Sequence, residues 1–76
     1  MSQPELRAQE YETHEQTLQG WAVRVITYRI GDMYYASIES VDPGAPIARA
    51  QGRTHAEALG IVRQKAAERL ARTRRF

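Results

Sequence analysis

Cysteine is absent from all 76 residues, which excludes disulfide bridges and thiolate metal ligands. No apolar run approaches the roughly 20 residues that a membrane-spanning helix requires, so the expectation is a cytoplasmic protein with no membrane partner. The start of the chain has no basic stretch leading into an apolar core, which predicts no secretory leader and a mature chain beginning near Met1. Histidine occurs twice, at His14 and His55, far apart and without neighbouring His or carboxylates at metal-ligand spacing. Each is therefore expected to be a surface residue, and neither a metal nor a cofactor is implied. A Gly-rich phosphate loop, a serine in a nucleophile elbow and a pair of carboxylates destined for one cleft are all missing, so no catalytic activity is expected.

A chain this short removes only about 60% of its unfolded surface on folding, so its core is marginal and self-association is a common remedy. The net charge of +2 conceals an asymmetry. In residues 1–20, Glu5, Glu10, Glu12 and Glu15 stand against Arg7, whereas from position 63 onward Arg63, Lys65, Arg69, Arg72, Arg74 and Arg75 stand against Glu68 alone. Such a basic end either attracts phosphate or an acidic protein surface, or is simply a solvated helix end whose cations complement the helix dipole.

Residues 1–15 are polar and poor in large apolar groups, and they are expected to form a flexible acidic tail ahead of a single domain at 16–76. The stretch YETHEQTLQ (11–19) has alternating β-tolerant residues and at most extends the strand that follows. WAVRVITYRI and MYYASIESV, separated by Gly31-Asp32, read as a β-hairpin rich in β-branched and aromatic residues. In DPGAP, Asp42 starts a turn, Pro43 presets its first corner and Gly44 supplies positive φ at the second. IARAQ then returns as an edge strand blunted by Arg49. GRTHAEAL opens a helix: Thr54 as N-cap and Glu57 three residues on have capping-box spacing. Leu59, Val62, Ala66 and Leu70 fall within a stripe about 80° wide, the mark of one buried face. The expected fold is α+β, a three-stranded antiparallel sheet with one C-terminal helix packed on one face.

A tight loop at Gly31-Asp32 makes facing residues sum to 63, which fixes the two faces of the hairpin. Trp21, Val23, Val25, Thr27, Tyr34, Ala36 and Ile38 share the face suited to the helix. The other carries Arg24 opposite Glu39, Tyr28 opposite Tyr35, and an apolar patch of Ile26, Tyr28, Ile30, Met33 and Tyr35. Contiguous apolar surface of this kind usually marks a contact. The N-terminal tail, a second copy of the chain or another protein are the three candidate covers. Tyr28, Tyr35 and Arg24 also have the composition of a stacking platform for single-stranded nucleic acid.

The order hairpin, third strand, Gly52-x-Thr54-x-x-Glu57-Ala58-Leu59, helix resembles the N-terminal domain of the HicB-like antitoxins, over residues 21–73. The resemblance implies a β-β-β-α fold and a non-catalytic interaction domain. It departs where that family often has Pro-Gly-Cys, since Pro43-Gly44-Ala45 stands here, and no C-terminal DNA-binding module follows. Two function classes are thus carried forward. One is a protein-interaction domain, with a homodimer or a small protein as partner. The alternative is a nucleic-acid-binding module using Arg63, Arg72, Arg74 and Arg75 of the basic C-terminal helix.

Overall fold

The structure is a computed structural model that describes residues 8–41 and 44–72. It is α+β, with strands β1 (Gln9–Leu18), β2 (Trp21–Ile30), β3 (Met33–Ser40) and β4 (Pro46–Gly52) followed by helix α1 (His55–Arg72). All neighbouring strands pair antiparallel, in the order β1-β2-β3-β4. The sheet therefore has four strands, not three. Residues 9–15, expected as tail, belong to β1, and residues 1–7 lie outside the described residues.

The extra strand is set by a turn that the sequence signals only faintly. Gln19 and Gly20 take φ of 53° and 79°, the double positive φ of a type I′ turn, which reverses the chain between Leu18 and Trp21. Gln is an uncommon choice there, because a side chain in the left-handed region is strained. Once the turn is made, β1 gains a full ladder along β2 whatever its polarity. At its far end the register shifts between Gln9 and Glu12, and Glu10, with φ 54°, is the extra residue of a bulge.

The second hairpin follows its sequence closely. Gly31 takes φ 63° as the first residue of a two-residue loop, and the pairs Arg24–Glu39, Ile26–Ser37, Tyr28–Tyr35 and Ile30–Met33 all sum to 63. Gly44 takes the expected positive φ, 88°, while Asp42 and Pro43 lie outside the described residues. Ser40 closes that connection, donating N–H to the Ala45 carbonyl (2.8 Å) and accepting from Ala45 N–H through Oγ (3.0 Å). Pro46 opens β4, the strand position that tolerates a missing N–H.

The helix begins as its spacing dictates. Thr54 Oγ1 accepts the Glu57 N–H at 3.0 Å, and Ala58 N–H closes the first turn on the Thr54 carbonyl at 3.1 Å. The return bond differs from a strict capping box, since Glu57 Oε1 accepts from Arg53 N–H (2.7 Å), one residue before the cap. Helix α1 lies across β4 and β3, barely reaches β2, and leaves β1 uncovered. Val23, Val25, Ala36, Ile38 and Ala48 of the sheet pack against Ala58, Val62, Ala66 and Leu70 of the helix. Each branched side chain among them stabilises the fold by about 1.5–3 kcal/mol through removal from water. The alanines let helix and sheet approach closely.

Candidate interaction surface

With the helix on the inner face, the outer face of the sheet has no covering layer among the described residues. Register places Ile26, Tyr28, Ile30, Met33 and Tyr35 together there, all half-buried by one another and by their strand neighbours. The residue that sequence reasoning missed is Tyr11. Its ring stacks on Tyr28 (centroids 5.8 Å apart, planes at 16°), and Tyr28 stacks on Tyr35 (5.4 Å, 12°). Three tyrosines thus form a ladder across β1, β2 and β3 that ends at Tyr11, 62% exposed. The alternation of Tyr11, Thr13, Glu15 and Thr17 was the available signal, and it needed the Gln19-Gly20 turn to acquire meaning.

The ladder changes what this face offers. Tyr28 is occupied on both ring faces, so within the stack only the outward faces of Tyr11 and Tyr35 remain for another ring. Arg24 is also engaged, bonding Glu39 at 2.6 Å and Glu15 at 3.5 Å. Its guanidinium is held above its ordinary pKa, foremost by the hydrogen bond to Glu39, with desolvation opposing and Glu15 adding smaller contributions. Two carboxylates sharing one cation leave this end of the face without surplus positive charge.

Among the described residues the basic side chains of the helix do not form one surface. Arg63 faces the uncovered half of the sheet, where it lines a groove of about 390 Å³ with His14, Gln16, Thr27, His55 and Leu59. Lys65 and Arg69 turn to the opposite flank and donate to the carbonyls of Arg49 and Ile47 on β4. Arg72 is exposed at the last helical position, and Arg74 and Arg75 lie outside the described residues. Both histidines are surface residues, yet the fold brings them to the same groove. His55 Nε2 lies 3.3 Å from Thr27 Oγ1, and its ring meets Tyr34 edge-on at 6.4 Å. Among the described residues no group of three or more His, Asp or Glu is placed to hold a metal ion, and no helix is long and apolar enough to cross a membrane.

No family model, curated protein or solved structure matches this chain.

Proposed function

We propose that this chain is a small, non-catalytic protein-interaction domain whose contact surface is the outer face of the sheet, with a second copy of the chain as its first partner. The observation that supports this reading is the one helix among the described residues, which lies on the inner face, so that no described residue forms a layer above Ile26, Tyr28, Ile30, Met33 and Tyr35. Two-fold pairing of outer faces buries these side chains symmetrically, which is the economical cover for a domain with a marginal core. Replacing Tyr28 with Lys and Ile26 with Ser is then expected to halve the mass in sedimentation while the circular dichroism spectrum stays the same. A natural protein that is already monomeric at about 0.5 mM overturns the homodimer.

The likeness of Gly52, Thr54, Glu57, Ala58 and Leu59 to the HicB-like antitoxins extends the proposal to a small toxin-like protein as a further partner. Co-purification with the product of an adjacent small reading frame tests that extension. Nucleic-acid binding is the second reading, favoured by the exposure of Arg63 and Arg72 on α1.

A further inference from the structure

The two edges of the sheet differ in one respect that bears on partners. Along β4, Ala48, Ala50 and Gly52 pair with Ile38, Ala36 and Tyr34, so the carbonyls of Ile47 and Arg49 point off the sheet. The helix covers them, Lys65 Nζ donating to Arg49 O at 3.2 Å and the Arg69 guanidinium to Ile47 O. Cationic caps of this kind stop an edge strand from pairing with another chain. β1 has no such cap. Its tight turn makes Leu18–Trp21 a hydrogen-bonded pair, and alternation then assigns Gln16, His14 and Glu12 to β2 as well. The N–H and C=O groups of Thr13, Glu15 and Thr17 point outward, and among the described residues nothing bonds to them.

This open edge is also chemically marked. Glu12 lies on the inner face with the His14 ring 3.5 Å away, a partner charged only when protonated. Glu15 lies on the outer face and has second claim on Arg24, at 3.5 Å against 2.6 Å for Glu39. Tyr11 ends the tyrosine ladder, and among the described residues no ring stacks on its outer face. A second copy of β1 paired antiparallel about Thr13 would bring Glu12 of each strand within about one Debye length, roughly 8–10 Å, of Glu12 and Glu15 of the other, which opposes self-pairing, while Glu10 is held by Arg29 at 2.9 Å. A cationic strand meets the opposite situation.

We propose that the β1 edge is a docking site for an extended, cationic segment of a partner protein, added as a fifth strand. Side chains three positions apart on a strand lie on opposite faces, as Glu12 and Glu15 do, so the segment carries Lys or Arg at two positions three apart. An aromatic or Arg side chain beside Tyr11 continues the ladder. The proposal extends the protein-interaction reading to a second surface and does not depend on the outer-face dimer.

The test is amide exchange of the full chain with and without a synthetic β-forming peptide that carries Arg at two positions three apart, against the same peptide with Glu at those positions. The amides of Thr13, Glu15 and Thr17 are expected to exchange freely in the protein alone and to become protected by the Arg peptide only. Glu12→Gln with Glu15→Gln should weaken that binding about three- to tenfold at about 50 mM salt, the size of two exposed ion pairs. Thr13→Pro should abolish it, because proline removes an outward N–H while leaving the bonds to β2 intact. Binding is retained in a Met33→Ser variant, whose outer-face side chain lies on β3 and not beside β1, which separates this site from the outer face. No protection by the Arg peptide, or equal protection by the Glu peptide, overturns the proposal. Protection already present in the protein alone also overturns it: in a dimer the occupant is a second copy, and in a monomer the chain fills its own edge.

Discussion

Gly52 has no room for a side chain. A Cβ built there meets the Ala58 nitrogen and both Cγ and Oε1 of Glu57 at 2.9 Å, closer than real side chains sit, so strand β4 runs into the first turn of α1 only because position 52 is bare. The Gly-x-Thr-x-x-Glu pattern is therefore one physical unit: Gly52 admits Glu57, Glu57 holds the Arg53 N–H, and Thr54 holds the Glu57 N–H. Gly52→Ala is expected to destabilise the fold by about 1–3 kcal/mol through overpacking against backbone, and Thr54→Ala by about 1 kcal/mol through loss of the cap. Urea midpoints check both, and an unchanged midpoint for Gly52→Ala would mean that the close approach is not maintained in solution. The cap was legible in the sequence because it is local. The crowding at Gly52 was not, since it arises only where strand and helix meet.

The helix shows how far periodicity carries. Val62, Ala66 and Leu70 are buried as their spacing predicts, but the fourth buried position is Ala58, while Leu59 is only partly covered. The contact line follows an i, i+4 row across β3 and β4, so at its N-terminal end Leu59 falls off that line toward the open half of the sheet, beside His55. Leu70→Ala should destabilise the protein by about 2–5 kcal/mol, as expected for a filled core position. Ile61→Ala, at a side chain 37% exposed, should change stability by under about 1 kcal/mol. Equal losses in a denaturant series would place α1 in a different rotation from that described.

Across the whole molecule, the charge asymmetry of the sequence becomes a separation in space. Glu10, Glu12 and Glu15 line one edge of the sheet, and Arg49, Lys65 and Arg69 line the other, three strand spacings or roughly 14 Å away. Because Lys65 and Arg69 serve the β4 edge while Arg63 faces the opposite groove, these three cations are divided rather than pooled. Oligonucleotides are accordingly expected to show no measurable binding at about 50 mM salt, where several pooled phosphate contacts would give strong binding that collapses by about 200 mM. Binding that follows that steep salt dependence, and disappears when Arg63, Arg72, Arg74 and Arg75 are replaced by Gln, would put the nucleic-acid reading first.

The sequence by itself determined the β2–β3 hairpin, its register and its buried face, because the Gly31-Asp32 turn and the alternation of Val23, Val25 and Thr27 act over neighbouring residues. It determined the helix start at Thr54 and the buried run from Val62 to Leu70 for the same reason. β1 lay beyond it, since QEYETHEQTL offers little apolar burial, and a strand of that composition exists only once a neighbour's unpaired backbone is there to receive it. The tyrosine ladder, the meeting of His14 with His55 and the contrast between a capped β4 edge and an open β1 edge were decided by tertiary structure alone. Each depends on which strand lies beside which, and on one helix being wide enough to cover only half of a four-stranded sheet.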